Sequence, residues 1–201
     1  MKHKYARSLC FLFFICFCSL AIAEEHECLE PYFYRVRVDS HFFSIDFEME
    51  SDWYTFGEIK KASFGFRAGY YLYNPEGKYR GYAFSRFFCL GAFFNWAAQM
   101  DIYDEEGKKI GSFEGEKTKE ELIRFQLMNE EEEVIAFAYV DATGTGVSLV
   151  EPDQENYTIA IFSRDLSVGT QDIWEAHVYD PLAVDPRIMK LFSAFIADHY
   201  R

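Results

Sequence analysis

A histidine placed third from a free amine chelates Cu(II) or Ni(II), and this sequence offers one on a condition. If the first 23 residues are removed, the chain begins Glu24-Glu25-His26. The α-amine, two deprotonated amides and the His26 imidazole can then wrap either ion in a square plane, the geometry both favour. The two glutamates only add negative charge nearby. Any chain with a third-position histidine has this property by chance, so His26 is expected to act in vitro without implying a physiological metal. The remaining histidines past the leader are His41, His177 and His199, and they show no HExxH or His-x-His spacing. Ser40-His41 and Ser163-Arg164-Asp165 supply a hydroxyl, an imidazole and a carboxylate, but no nucleophile elbow or positioned base. Asp141-Ala142-Thr143-Gly144-Thr145-Gly146 has the glycines of a phosphate loop without its lysine, and reads as a hairpin turn. Asp101 and Asp104 lack the spacing of a calcium loop, and the glutamates at 130–133 read as a solvated turn. Asn156-Tyr157-Thr158 matches a glycosylation sequon, which matters only in a host that glycosylates exported chains. The expectation is a non-enzyme with no resident cofactor.

The N-terminus indicates a compartment. Lys2, Lys4 and Arg7 precede an apolar run over 9–22 that closes on Ala21-Ile22-Ala23. That order is a basic start, an apolar centre and a small-x-small cleavage site, so residues 1–23 read as a cleaved signal peptide. The alternative, an uncleaved anchor, needs a longer apolar run than this one. The leader carries three of the 20 Lys+Arg and no acid, so the mature chain of 178 residues has 33 acidic and 17 basic residues and a formal charge of −16. Such acidity argues against nucleic acid and against broad adhesion to anionic lipid. The mature form is expected to have no transmembrane helix and to reside in the periplasm or outside the cell. Cys28 and Cys89 alone survive cleavage. They could pair in an oxidising compartment, or Cys89, set in Phe87-Phe88-Cys89-Leu90, could serve as a small buried apolar residue.

The elements that would position such groups are strands. Tyr71-Leu72-Tyr73 runs through Asn74-Pro75-Glu76-Gly77 into a second apolar segment, and the pattern recurs at 100–113, 125–140 and 147–162. Each unit is a short strand, an acidic or Gly/Pro turn and a second strand, the signature of a hairpin. Ile123, Phe125 and Leu127 alternate with Arg124 and Gln126, giving one buried and one wet face. Segments 33–38, 42–49 and 53–59 also read as strands, for a total of about 10 to 12, which suggests an antiparallel sheet closed into a barrel. Trp53, Trp96 and Trp174 read as core residues. The C-terminal stretch 185–199 is the strong helix. Asp185 can cap its free amides, Pro186 suits the first helical position, and apolar side chains follow on most faces. A helix apolar nearly all round is buried, and the place for it is inside the curled sheet. Residues 24–201 therefore read as one domain.

These segments resemble the tubby-like superfamily. The likeness rests on Tyr71-Leu72-Tyr73-Asn74-Pro75-Glu76-Gly77 and Met100-Asp101-Ile102-Tyr103-Asp104-Glu105-Glu106-Gly107-Lys108-Lys109-Ile110-Gly111. It continues through Tyr157-Thr158-Ile159-Ala160-Ile161-Phe162-Ser163-Arg164-Asp165, Asp172-Ile173-Trp174 and the C-terminal helix. The LURP-one-related and phospholipid-scramblase-like branches are the nearest comparison, over residues 65–199. The resemblance implies a mainly β fold, a 12-stranded antiparallel closed barrel threaded by the C-terminal helix. It also implies a binding role, since some tubby-like domains hold phosphoinositide head groups in a basic pocket and scramblase-like members act at membranes. Here Lys60, Lys61, Arg67, Lys78, Arg80 and Arg86 form the densest basic stretch, and they read as the solvated face of early strands. No lipid-binding motif of the family matches residue by residue. The expected function is an exported, non-catalytic binding or scaffold protein that recognises a lipid head group or a protein partner. The alternative is a ligand carrier, or an enzyme whose site is built from barrel loops.

Overall fold

The computed structural model describes residues 33–62, 67–86, 91, 94–154, 156–167 and 172–200. Twelve antiparallel strands follow one another: β1 (Phe33–Ser40), β2 (Ser44–Glu50), β3 (Thr55–Ala62), β4 (Gly69–Tyr73), β5 (Tyr79–Ser85), β6 (Gln99–Asp104), β7 (Lys109–Lys117), β8 (Ile123–Asn129), β9 (Val134–Val140), β10 (Gly146–Val150), β11 (Thr158–Asp165) and β12 (Asp172–Val178). Each pairs with its neighbours in sequence, and β12 pairs back onto β1 with Val36 opposite Trp174, so the sheet closes into a barrel. Closure removes the exposed edges that an open sheet of this length would present. A 3-10 turn at Asn95–Ala97 interrupts the β5–β6 connection, and one α-helix, α1 (Pro186–His199), ends the described chain. The expected fold class is observed.

Period-two alternation decides which side chains enter the barrel. Phe125 and Leu127 of β8 are fully buried while Arg124 and Gln126 face outward. Small residues line part of the interior, including Ala83, Ala136, Ala138, Ala160 and Ala176, and leave width for a helix. At Gly111 an added Cβ would lie 2.6 Å from Ile188 Cδ1 and 2.5 Å from the Met128 carbonyl oxygen, so the helix and sheet meet there only because no side chain intervenes.

The helix lies within the barrel. Residues from Ile188 to Ala197, Lys190 apart, are buried. Phe192 and Phe195 meet Phe113 and Phe125 at ring separations of 4.8–5.7 Å, and Phe192 also meets Phe162 at 6.1 Å. These partners come from β7, β8 and β11, so one turn of helix ties strands from widely separated parts of the barrel wall. The helix starts as its sequence suggests: the Asp185 carboxylate accepts from the Arg187 amide at 2.8 Å, and Pro186 occupies the first turn.

Alternation of hairpins gives the barrel two ends. Connections β2–β3, β4–β5, β6–β7, β8–β9 and β10–β11 lie at the end where α1 begins. Connections β1–β2, β3–β4, β5–β6, β7–β8, β9–β10 and β11–β12 lie where it finishes. All five hairpins at the first end carry a register shift next to the turn, at Met49/Glu50, Leu72/Tyr73, Ile102/Tyr103, Leu127/Met128 and Leu149/Val150. Such bulges bend and twist strands and so help the sheet to curl. Five turns share one chemistry. Asn74, Asp104, Thr118, Asn129 and Asp141 each accept from the amide four residues on through a side-chain oxygen. In each, the fourth turn residue has positive φ: Gly77, Gly107, Glu121, Glu132 and Gly144.

Two early strands begin later than the sequence suggests. Phe42 and Phe43 belong to the β1–β2 turn, not to β2, and Trp53 and Tyr54 to the β2–β3 turn, not to β3. The expectation that all three tryptophans are core fails for the same reason. Trp174 is buried on β12 and Trp96 is half-buried, but Trp53 sits at a turn tip with 90% of its surface exposed.

Candidate functional site

Among the described residues the helix and wall leave one concentration of ionisable groups inside the barrel. Gly57, Ile59 and Lys61 share the inward face of β3, and Lys61 Nζ donates to Asp198 Oδ2 in the last turn of α1. The Tyr70 hydroxyl donates to the same oxygen at 2.7 Å. His199 Nδ1 lies 3.6 Å from it, with its ring 4.2 Å from that of Phe195. Burial opposes ionisation of Asp198, but the hydrogen bond and charge of Lys61, then His199 and Tyr70, outweigh it and hold the carboxyl below its usual range. Only 4% of the Asp198 side chain and 18% of Lys61 are exposed. The cluster fastens the helix to β3 and β4. Beside it, burial pushes the Tyr200 phenol up to about 12.

The basic stretch does not form one pocket. Lys61 points inward, Lys60 pairs with Glu58 at 3.0 Å, and Arg67 Nε donates to the Ser85 carbonyl oxygen at 2.6 Å. Arg80 lies 3.7 Å from Glu105, while Arg86 holds Asp101 with a bidentate grip and also reaches Glu114. Lys78 stands at the end where α1 begins, opposite Arg67 and Arg86. The reading of these residues as a solvated strand face holds for Lys60 on β3 and Arg80 on β5, but Arg67, Lys78 and Arg86 lie in connections between strands, and Lys61 faces inward to a partner 137 residues away in sequence.

The other candidate groups also stand apart. His41 Nε2 lies 3.4 Å from Asp46, His177 is exposed against Phe33, and Asp165 accepts from Ser167. No serine, histidine and carboxylate come together from the two expected segments. In the Asp141 turn the carboxylate itself accepts from the Thr143 and Thr145 amides at 3.0 Å, filling the place where a phosphate would have to sit. Asp104 likewise caps its own turn. Among the described residues no group of histidine, cysteine and carboxylate side chains could hold a metal ion. His26, Cys28 and Cys89 lie outside the described residues, as does the leader. Asn156 of the sequon is exposed on the β10–β11 loop.

On the outside, Tyr71, Tyr82 and Tyr103 stack across β4, β5 and β6, with Tyr82 and Tyr103 4.9 Å apart and 16° from parallel. Tyr79 joins them, and burial among these rings pushes its phenol up to about 12. The rings cover one another's faces, which makes a cross-strand stabilising ladder. An open groove of about 380 Å³ lies at the end where α1 begins, lined by Ile135, Pro152, Ile159 and Ala183 with the carboxylates of Glu151, Asp153 and Asp180.

The two ends differ in charge. At the first, the residues between strands include Asp52, Glu76, Glu105, Glu106, the 130–133 glutamates, Glu151, Asp153, Asp180 and Asp185, against Lys78 and Lys108. At the second, Arg67, Arg86 and Lys119 balance Glu120, Glu121 and Asp141. We call these the acidic end and the closing end. No protein-family model matches the sequence, and no curated protein matches it.

Proposed function

We propose that this is an exported, non-catalytic binding or scaffold protein of the tubby-like type, which meets its ligand or partner on the outside of the barrel. One observation carries the reading: the barrel axis is filled by α1, whose aromatic side chains pack against the wall from three separate strands. A carrier would have to expel that helix to gain volume. The buried ionisable cluster supports the same conclusion, because its charges are spent on one another. The order of hairpins ending in one apolar helix supports the tubby-like assignment, and the basic start and small-x-small site at Ala23 support export.

Native mass spectrometry of the protein purified gently from its own host tests the proposal. The expected result is a mass lacking residues 1–23, with no small molecule held in stoichiometric amount. A compound that stays bound until the barrel unfolds would occupy the interior and would replace this reading with that of a carrier. A mass retaining the first 23 residues would overturn cleavage.

A further inference from the structure

We propose that Tyr82 and Tyr103 form an oxidative modification site, where a one-electron oxidant joins the two rings as dityrosine and so staples β5 to β6. Phenols are concentrated on this part of the outer wall. Tyr71, Tyr82 and Tyr103 stand opposite one another across β4, β5 and β6, and Tyr73 pairs with Tyr79 one step toward the acidic end. Ring contacts join all five. Tyr73 meets Tyr79 at 5.9 Å and Tyr79 meets Tyr82 at 6.3 Å. Tyr82 also meets Tyr71 at 6.4 Å and Tyr103 at 4.9 Å. Tyrosine suits a strand, and a cross-strand aromatic pair stabilises a sheet, but phenylalanine would serve both purposes. The hydroxyls set this patch apart. Burial, and then the nearby phenols of Tyr82, Tyr71 and Tyr73, raise the Tyr79 phenol, so the oxygens as well as the rings lie close together.

Phenols are among the side chains most easily oxidised by one electron, and phenols in contact exchange an electron and a proton readily. A radical made at any of the five rings therefore reaches Tyr82, which touches three of the others. Geometry selects the coupling step. A carbon–carbon bond needs two rings whose ortho carbons can meet, and Tyr82 and Tyr103 are the closest pair and only 16° from parallel. The oxidant is hydrogen peroxide, spent one electron at a time through a haem peroxidase. Each phenol O–H gives up a hydrogen atom, and the two radicals form one bond between ortho carbons. The hydrogens on those carbons then shift to the oxygens. Peroxide takes up the two electrons and two protons, its O–O bond breaks, and two waters leave. The new bond closes the chain from 82 to 103, and such a constraint on the unfolded state stabilises as a disulfide does. Past residue 23 the chain has two cysteines and hence one disulfide at most, so a further covalent tie adds to what an oxidising compartment can supply.

Peroxidase and hydrogen peroxide, acting on dilute protein, provide the test. The expected product is a monomer lighter by two hydrogens, with dityrosine fluorescence and a cross-linked peptide pair that contains Tyr82 and Tyr103. Tyr103→Phe keeps the ring but has no phenol, and it should abolish that peptide pair. Tyr54, Tyr157 and Tyr179 are internal controls, 55%, 45% and 57% exposed and outside the patch. They are more open to the enzyme than the half-buried Tyr82 and Tyr103, so accessibility alone would place the oxidation there and join molecules into dimers. Cross-linked monomer should also unfold at a higher urea concentration than untreated protein, and treated Tyr103→Phe should show no such rise. Dimers through the exposed tyrosines, absence of dityrosine, or a monomer cross-link that survives in Tyr103→Phe would each overturn the proposal. A complete cross-link with an unchanged urea midpoint would overturn the staple. An interior ligand in native mass spectrometry would remove the binding-protein reading and leave this result unaffected.

Discussion

Both ends of the central helix are fixed by a carboxylate, but the two carboxylates work in different solvents. At the acidic end Asp185 caps the first turn and holds Arg187, whose guanidinium also lies 3.7 Å from Glu105. About a third of each side chain in that group is exposed, so water can take over for any member. At the closing end Asp198 is almost wholly enclosed and shares one oxygen between Lys61 and Tyr70. The first arrangement starts a helix and is replaceable. The second fixes where the helix stops relative to β3 and β4, because an enclosed charge has no alternative partner in water. Paired charges thus give direction more than strength: one end tolerates variation and the other sets the position.

A common apolar waist holds both ends, and Phe192→Ala tests it first. Phe192 touches Phe113, Phe125 and Phe162, and its removal should cost about 3–5 kcal/mol in urea unfolding through lost transfer energy and a residual cavity. A loss below about 1 kcal/mol would mean that the helix is not the core. Next is Lys61→Ala, which takes the lysine cation from the enclosed Asp198 carboxylate and leaves it the Tyr70 hydroxyl. Breaking an enclosed pair costs roughly 3–5 kcal/mol, and the partial exposure of Lys61 places this variant toward the lower figure. Replacing both partners, as Lys61→Met with Asp198→Leu, should recover most of the loss. If the double variant is no better than the single one, the pair holds the helix by more than charge.

Asp185→Ala should cost about 1 kcal/mol, the ordinary value of a cap. Acid sharpens the contrast between the ends. Asp185 and Asp198 both titrate below the ordinary value of 3.8 in the folded protein. Their stabilisation is therefore complete above that value, where the unfolded chain is also ionised, and it is lost as pH falls through the depressed folded value. Unfolding measured from pH 5 to pH 2 should show a stability slope below 3.8 that Asp198→Asn reduces. An unchanged slope would assign acid sensitivity to other carboxylates.

The waist and the cap were legible in the sequence, and the closing cluster was not. Alternation in β8 and the Asp185-Pro186 start are local patterns, and they carry through to the folded protein because each rests on backbone geometry within a few residues. Lys61 and Asp198 meet only through the register of β3 and the length of α1. A signal was nonetheless present: Lys61 stands two residues beyond Ile59, on the inward series, and Asp198 ends an otherwise apolar face. A lysine and an aspartate at inward positions of two buried elements require partners. The exposure of Trp53 was illegible for a different reason. An aromatic residue beside Tyr54 and Phe56 suits a strand by type, and only the turn hydrogen bond from Ser51 N to the Tyr54 carbonyl oxygen places it outside β3.

The smallest effect comes from the turns. Five turns place a residue at positive φ in the same position, and three of them use glycine there while Glu121 and Glu132 do not. A side chain in that conformation crowds the following carbonyl at a cost of roughly 1–2 kcal/mol, part of which glycine returns through its freer unfolded chain. Glu121→Gly should therefore raise stability by about 0.5–1 kcal/mol. Glu132→Gly should gain less, because Glu132 also lies 3.2 Å from Lys109 Nζ, in an exposed pair worth about 0.2–1 kcal/mol. Thermal melts of the two variants resolve the difference, and salt identifies its cause. If the ion pair explains the smaller gain, the two gains converge at high ionic strength; if they remain apart, the turns themselves differ in strain.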